Sequence, residues 1–343
     1  MRSAVASSVF LAMACLLGAL ASSGQTNTDF DHAVAEFQRG NYASAAAMFA
    51  RVEAASPGTT DALLYRAKSL VHTRDFAGAE SALRSYLQSH SNSADALYML
   101  GFALNRENRP AASLSAYTQA AAITKPTSDD LKIVGLDYAL LDDYADAMQW
   151  LEQAVTLDSK NKDAWYYLGR AYYTKARLSD ARKAFQRVLD LDPVNAKAEN
   201  NLGLILETEG KPDAAIKAYR DAIAWQERGS QLSEQPYVNL GNLLAEKGRI
   251  QEAIAPLEKA VALAPHNAYC RMTLGVCYRK LGEMKKAQRE LERATELEPE
   301  NPTAHYQLGR VYKDMNQLDL AKKEFGRTAE LQGRASKPIS ESR

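Results

Sequence analysis

Residues 162–195 read KDAWYYLGRAYYTKARLSDARKAFQRVLDLDPVN, and this stretch decides the fold of the chain. Seven of its residues follow the spacing W-x-x-L-G-x-x-Y, then A-x-x-x-F, then P: Trp165, Leu168, Gly169, Tyr172, Ala181, Phe185 and Pro193. The first, second and fourth of them have the i, i+3, i+7 spacing of one apolar helix face. Pro193 follows the last apolar residues and ends a second helix. The stretch therefore predicts a helical hairpin.

The glycine of this stretch predicts how the two helices meet. Gly169 lies in the middle of the first helix, where glycine costs roughly 1 kcal/mol relative to alanine. We expect the second helix to pack against it so closely that a Cβ atom would hold the two apart. Ala181 and Phe185 then supply a small and a large side chain one turn apart. A hairpin of this size cannot bury its own faces, so it needs neighbours of the same kind.

The same spacing recurs along the chain with a period of 34 residues. Repeats begin at Thr26, Thr60, Ala94, Ser128, Lys162 and Ala196 and, after a short insertion at about 230–233, at Glu234, Ala268 and Pro302. The glycine phase contains Gly101, Gly135, Gly169, Gly203, Gly241, Gly275 and Gly309. The phase of Ala181 is alanine everywhere except at Ser113, and the phase of Phe185 is always a large apolar or aromatic residue. Nine repeats are therefore predicted over residues 26–335, followed by a tail over 336–343.

With these positions filled, the chain resembles the tetratricopeptide repeat family. The resemblance implies an all-α fold, a right-handed α-solenoid of antiparallel helix pairs, in which each repeat has an A helix and a B helix. It also implies that positions two, five, nine, twelve and thirteen of the A helices line a concave groove that binds peptides. The candidate peptide-binding residues are Tyr98, Phe102, Lys132, Tyr166, Arg170, Tyr173, Arg279, Lys280, Tyr306, Arg310 and Lys313.

Two details of that groove depart from or add to the family pattern. Chaperone-binding members hold a terminal carboxylate with Lys and Asn at positions five and nine of one repeat. Here Lys132 is followed four residues later by Leu136, so this clamp is not present. Asn200, Asn239 and Asn242 are expected to place amides on the concave side, where they could bond the backbone of an extended peptide.

The N-terminus predicts export. Arg2 precedes an apolar run from Val9 to Leu20, and small residues follow, so residues 1–21 are interpreted as a signal peptide. The expected location is periplasmic or extracellular. An uncleaved membrane anchor is the alternative, although the run is shorter than the ~20 residues that span a bilayer. Lipidation at Cys15 is disfavoured because this cysteine lies inside the apolar run. No transmembrane span is predicted in the mature chain.

Composition and motifs exclude several function classes. Lys plus Arg and Asp plus Glu both number 42, so no net charge favours nucleic acid. The five histidines are scattered without metal-ligand spacing, and neither a phosphate loop nor a nucleophile motif is present. We therefore predict no enzyme, no cofactor and no metal. Cys270 and Cys277 are seven residues apart on one predicted helix, about 10 Å, which is too far for a disulfide. Buried free thiols are expected.

Acidic residues recur at position two of four consecutive repeats, as Asp61, Asp95, Asp129 and Asp163. They could form an acidic ladder for a basic partner. The preferred interpretation is structural, because a carboxylate in the first turn of a helix complements the helix dipole. Residues 26–161 carry 17 acidic and 11 basic residues, whereas residues 162–343 carry 25 acidic and 30 basic residues.

The function predicted from sequence is an exported, non-catalytic scaffold or adaptor. Its groove would bind a peptide segment of a partner protein, and the basic C-terminal end favours an acidic segment or a free C-terminal carboxylate. An accessory subunit that positions an envelope enzyme or an assembly complex is the alternative. An enzyme is a remote alternative, since it would need a catalytic constellation that the sequence lacks.

Overall fold

The structure is a computed structural model that describes residues 28–56, 60–229 and 232–335, and every regular element in these ranges is a helix. The first helix, α1, includes residues 28–38. The others are α2 (Tyr42–Ala55), α3 (Thr60–His72), α4 (Phe76–Ser89), α5 (Ala94–Arg106), α6 (Pro110–Ala121), α7 (Ser128–Leu140), α8 (Tyr144–Leu157), α9 (Lys162–Thr174), α10 (Leu178–Leu191), α11 (Ala196–Thr208), α12 (Pro212–Glu227), α13 (Gln235–Glu246), α14 (Ile250–Leu263), α15 (Ala268–Lys280), α16 (Met284–Leu297), α17 (Pro302–Asp314) and α18 (Leu318–Ala335). The predicted signal peptide, residues 230–231 of the insertion and the tail lie outside the described residues.

The predicted register is confirmed by the starts of the A helices, which are the odd-numbered ones. The helices α3, α5, α7, α9, α11, α15 and α17 begin at the first residue of their repeats, and α13 begins one residue later, at Gln235. Side-chain caps explain several of these starts. Asn161 and Asn195, for example, accept hydrogen bonds from the backbone N–H groups of Ala164 and Ala198, both at 3.0 Å.

The A helices end in the same way throughout the described chain. Position fifteen of each repeat has a positive φ; it is glycine at Gly40, Gly210, Gly248 and Gly282, and Arg74, Asn108, Asp142, Ala176 and Asn316 elsewhere. The next residue bonds back to the helix, as when the N–H of Asp75 donates to the carbonyl oxygen of Leu70 at 2.9 Å. This is the six-to-one bond of a Schellman turn. A three-residue turn therefore leads each A helix into its B helix.

The close helix contact predicted at the glycine phase is present in repeats across the chain. A Cβ atom built on Gly101 would lie 2.6 Å from the ring of Tyr117, and one built on Gly275 would lie 2.6 Å from Cγ of Leu291. Equivalent contacts occur at Gly135, Gly203, Gly241 and Gly309. The alanines of the neighbouring phase, such as Ala147 and Ala253, are fully buried. The fold is thus the predicted all-α solenoid of antiparallel helix pairs.

A second contact recurs between repeats and was not predicted from sequence. The hydroxyl of Tyr172 donates to Oε1 of Glu152 at 2.5 Å, and that of Tyr312 donates to Oε1 of Glu292 at 2.8 Å. Tyr278 donates to Glu258 in the same way. In each case a tyrosine at position eleven of an A helix reaches a glutamate twenty residues earlier, on the preceding B helix. We call these contacts the Tyr–Glu bridges.

The described residues form two compact units, unit 1 within Met1–Lys175 and unit 2 within Ala176–Arg343. In unit 1, α5 contacts α7 and α7 contacts α9; in unit 2, α11, α13, α15 and α17 contact one another in turn. Within the described residues, no two successive B helices pack as closely. The A helices therefore line the inner side of each unit. None of the described helices combines the length and the hydropathy needed to cross a bilayer.

Candidate functional site

The candidate site is the exposed surface of the A helices, which we call the inner face of each unit. All eleven predicted peptide-binding residues lie on A helices: six on α5, α7 and α9 of unit 1, and five on α15 and α17 of unit 2. An exposed side chain with no internal partner is available to a ligand, whereas a buried or bonded one stabilises the fold. The contacts of each residue decide between these two roles.

Three predicted residues of unit 1 are used mainly by the fold. The hydroxyl of Tyr98 donates to the carbonyl oxygen of Thr124 at 2.6 Å, which fixes the turn before α7. The ring of Phe102 packs edge-on against Phe76 and joins the core cluster around Ile133. Nζ of Lys132 lies 2.6 Å from Oδ1 of Asp129, and its side chain is only 14% exposed. Each of these side chains already has a structural contact.

The other three predicted residues of unit 1 lie together on α9. Arg170 is exposed, while Tyr166 and Tyr173 are half-buried. The ring of Tyr166 packs edge-on against Tyr167 at 5.4 Å. Both tyrosines form interactions within the fold. Arg170 is thus the predicted residue of unit 1 with the most accessible side chain.

In unit 2 the predicted residues lie on two adjacent A helices, and two of them have internal partners. Nη1 of Arg279 on α15 donates to Oδ2 of Asp314 on α17 at 2.9 Å, and the Arg279 side chain is 12% exposed. The guanidinium of Arg310 lies 5.9 Å from the centre of the Tyr306 ring, a cation–π distance. The first contact joins α15 to α17 and the second lies within α17, so both arginines have internal partners.

The remaining side chains of unit 2 are left to solvent. Lys280 and Lys313 are exposed near the C-terminal ends of α15 and α17, and neither has an ion pair among the described residues. Tyr306 is 45% exposed, and its ring leans on Phe325 at 5.8 Å. Tyr269, at position two of α15, is 51% exposed. Sequence reasoning missed Tyr269, although its position in the repeat places it on the inner face.

The three asparagines do not form the open row of amides that the sequence suggested. Nδ2 of Asn239 donates to Oδ1 of Asn200 at 2.9 Å, so these two side chains bond each other, and Asn200 is buried. Nδ2 of Asn242 donates to the hydroxyl of Tyr269 at 3.0 Å. Oδ1 of Asn242 is buried without a hydrogen-bond partner. The expectation of free amides is therefore corrected, because neighbouring helices bring polar partners within reach.

The acidic residues at position two lie where the structural interpretation placed them, in the first turns of α3, α5, α7 and α9. Asp129 also accepts hydrogen bonds from Lys132 and from Nδ2 of Asn161. The bond from Lys132 is the main cause that lowers the pKa of Asp129. These carboxylates are accounted for by helix starts and local pairs.

The described part of the chain contains no arrangement of residues suited to metal or thiol chemistry. Among those residues no group of three or more His, Cys, Asp or Glu could hold a metal ion. Cys270 and Cys277 are buried free thiols, as expected. Burial raises the pKa of Cys270 to about 11 and also raises the pKa of Cys277. A protonated thiol is a poor nucleophile, so both cysteines act as packing residues.

Family comparisons agree with the repeat geometry. A model described as "Tetratricopeptide repeat" matches residues 30–94, 66–129, 166–231 and 273–335, which is more than half of the chain. A second such model matches residues 243–297, and one described as "TPR repeat" matches residues 135–176. The chain belongs to the tetratricopeptide repeat family. No match was found among curated proteins.

Solved structures share the tetratricopeptide fold at low sequence identity. A chain of the Cut9–Hcn1 hetero-tetramer of APC/C aligns with a TM-score of 0.60 and 14% identity, over 79% of this chain and 52% of its own. A tetratricopeptide repeat protein from Parabacteroides merdae aligns with a TM-score of 0.58 and 16% identity, over 79% and 98%. PilW, a type IV pilus biogenesis factor, aligns with a TM-score of 0.53 and 21% identity, over 62% and 95%. This chain thus spans about half the length of the Cut9–Hcn1 chain, and these likenesses concern the fold alone.

Proposed function

We propose that this tetratricopeptide repeat protein is an exported, non-catalytic scaffold that holds an extended, acidic segment of a partner protein on the inner face of unit 2. Proteins of this repeat class serve in protein–protein interaction. One observation carries the choice of surface: Lys280, Lys313, Tyr269 and Tyr306 stay exposed on neighbouring A helices after the internal contacts are made. Exposed tyrosines beside cations are typical of binding hot spots.

Charge supports an acidic partner. The part of this face formed by α15 and α17 carries four cations, namely Arg279, Lys280, Arg310 and Lys313, and one carboxylate, that of Asp314. Cations in the last turn of a helix complement its dipole, which explains the places of Arg279, Lys280 and Lys313. The dipole does not explain why two large tyrosine rings on the same helices remain exposed. An aromatic side chain of the partner would cover these rings, while its carboxylates meet the lysines.

Export is the second part of the proposal and rests on the apolar run from Val9 to Leu20. If residues 1–21 are removed, the mature protein should begin near Ser22 and be found outside the cytoplasm. N-terminal sequencing of the protein purified from its native source tests this part. Intact Met1 in a cytoplasmic fraction would contradict it.

Charge reversal tests the binding surface. The double variant Lys280→Glu, Lys313→Glu should capture several-fold less partner from a native envelope extract, and the capture that remains should depend less on salt. The reason is that attraction between exposed charges is screened beyond ~8–10 Å at ordinary salt. Reversal of Arg279 would instead break its pair with Asp314, so the lysines give the cleaner test.

The matched control reverses two exposed lysines on the B helices of the same repeats, Lys285 on α16 and Lys322 on α18. The double variant Lys285→Glu, Lys322→Glu should capture as much partner as the unchanged protein. An equal loss in both double variants would show that overall charge, and not the inner face, attracts the partner.

A further inference from the structure

A buried carboxyl group lies in unit 1, whereas the proposed binding surface belongs to unit 2. Asp137 is fully buried at position ten of the A helix α7. The same position is apolar in most other repeats, as in Ala103, Ala171, Leu243 and Val311, and those side chains are buried as well. An aspartate therefore occupies a core position. A buried polar group costs free energy unless its hydrogen bonds are satisfied.

Two polar side chains of the neighbouring repeat accompany it. Nδ2 of Asn105 on α5 donates to Oδ1 of Asp137 at 2.8 Å, and both residues are buried. Ser113 on α6 is also fully buried and interacts with the carboxyl group through its hydroxyl. Ser113 is the one residue of its phase that is not alanine. Two departures from the repeat pattern, Asp137 and Ser113, thus meet at one point.

Burial and an unpartnered oxygen favour a proton on the carboxyl group, and burial outweighs the hydrogen bonds of the cluster, which lower the pKa of Asp137. Nδ2 of Asn105 is the donor to Oδ1, while the hydroxyl of Ser113 donates its single proton to the carbonyl oxygen of Gly101 at 2.8 Å. Oδ2 of Asp137 is buried and has no hydrogen-bond partner. If Asp137 were ionised, the negative charge on this oxygen would be buried without a hydrogen bond. Burying the neutral acid costs less free energy.

No charged neighbour among the described residues neutralises Asp137. On α5 the guanidinium of Arg106 lies over the Phe76 ring at 5.5 Å, and on α7 itself Lys132 is paired with Asp129. The other titratable or charged side chains on α7 and on the helices packed against it are Asp95 and Tyr98 on α5, Tyr117 on α6, Asp130 and Tyr138 on α7, Tyr144, Asp146 and Glu152 on α8, and Lys162, Asp163, Tyr166, Tyr167, Arg170, Tyr172 and Tyr173 on α9. None of these forms an ion pair or hydrogen bond with Asp137 in the described structure.

We propose that Asp137 is a pH-responsive latch: as a neutral acid it holds α5, α6 and α7 together, and its ionisation loosens their contact. Burial is the main cause that raises the pKa of Asp137 to about 6, from an ordinary value of 3.8. The folded state then binds the proton more tightly than the unfolded state does. Stability from this group is fully present below pH 3.8 and is lost as the pH rises through about 6.

Hydrogen exchange of the full chain tests the latch locally. We compare peptides from α5–α7 at about pH 5 and about pH 7.5, after correction for the intrinsic exchange rate, and use peptides from α15–α17 as an internal reference. The unchanged protein should exchange severalfold faster in α5–α7 at the higher pH. The ceiling over this pH range is roughly tenfold, because pH 5 lies about one unit below the raised pKa of about 6 and each unit is a factor of ten.

Two variants sharpen the result. Asp137→Asn keeps the shape of the side chain but cannot ionise, so its pH effect in α5–α7 should fall below twofold. Asp95→Asn, on the exposed first turn of α5, should leave the full pH effect in place. Equal pH effects in the unchanged protein and in Asp137→Asn would overturn the proposal.

A direct titration keeps the test valid if Asp137→Asn fails to fold. The carbon-13 carboxyl resonance of Asp137 in the unchanged protein should titrate near pH 6. A midpoint at the ordinary value of about 3.8 would overturn the proposal as well.

Discussion

Unit 1 and unit 2 share one way of packing their apolar residues and differ in how they handle polar groups. In both, a glycine of the A helix receives a large side chain of the B helix. Unit 1 buries the carboxyl group of Asp137 beside Asn105 and Ser113, with no cation. In unit 2 the buried carboxylate of Glu290 pairs instead with Arg271 at 2.6 Å. The repeat pattern determines the apolar packing in both units, and residues that depart from the pattern give each unit its own polar contacts.

The largest expected effect tests the shared part of this comparison. Leucine at Gly135 in unit 1 or at Gly275 in unit 2 would meet Leu151 or Leu291 and the backbone of the facing helix. Overpacking typically costs about 1–3 kcal/mol, and repeats pass the damage to their neighbours. Urea unfolding should show a similar loss for Gly135→Leu and Gly275→Leu.

Gly326→Ala is the control for these two variants. Gly326 lies within α18, and a Cβ atom there would meet nothing within 4 Å. Alanine should stabilise this helix by about 0.5–1 kcal/mol, because it has the higher helix propensity. If leucine at Gly135 or Gly275 were tolerated as well as alanine at Gly326, the proposed helix contact would be wrong.

A smaller effect is expected at the Tyr–Glu bridges, which occur in both units. Tyr172→Phe, Tyr278→Phe and Tyr312→Phe each remove a hydrogen bond to a carboxylate, and such bonds contribute about 1.5–3 kcal/mol. We expect losses near the lower end, about 1.5 kcal/mol, since the glutamates are partly exposed and regain water. Urea unfolding of the three variants should give similar values.

Tyr138 supplies the matched control for the bridges. It occupies the same position eleven, on α7, but the residue twenty positions earlier is Thr118 instead of glutamate. Tyr138→Phe should therefore change the free energy of unfolding by less than about 0.5 kcal/mol. If Tyr138→Phe lowered the free energy of unfolding as much as Tyr312→Phe does, the stabilisation would come from the surroundings of the phenol ring and not from the bridge.

The sequence was sufficient for features that depend on local spacing. The 34-residue register placed the starts of most A helices correctly, because six of them follow a residue whose side chain caps the helix and the glycine phase sets a close helix contact. The pair of Lys132 with Asp129 could also have been predicted, since residues three apart share a helix face. The accessible Tyr269 follows from its repeat position in the same way.

Contacts between different A helices were beyond sequence reasoning. Arg279 and Asp314 are 35 residues apart, and their pairing depends on side-chain conformations across two helices. The bond between Asn200 and Asn239 spans 39 residues and the four-residue insertion, so no single repeat reveals it. For this reason the sequence placed its candidate residues on the A helices but could not separate their bonded side chains from the accessible ones.

Photo-crosslinking in the native envelope tests the central claim, that the inner face of unit 2 binds the partner. A photoreactive phenylalanine analogue replaces Tyr306 on the inner face, or Lys285 on the B helix α16 of the preceding repeat. The account predicts a discrete crosslinked partner from position 306, little from position 285, and loss of the first product in the Lys280→Glu, Lys313→Glu background. Crosslinks of equal yield from both positions, or from position 285 alone, would contradict it.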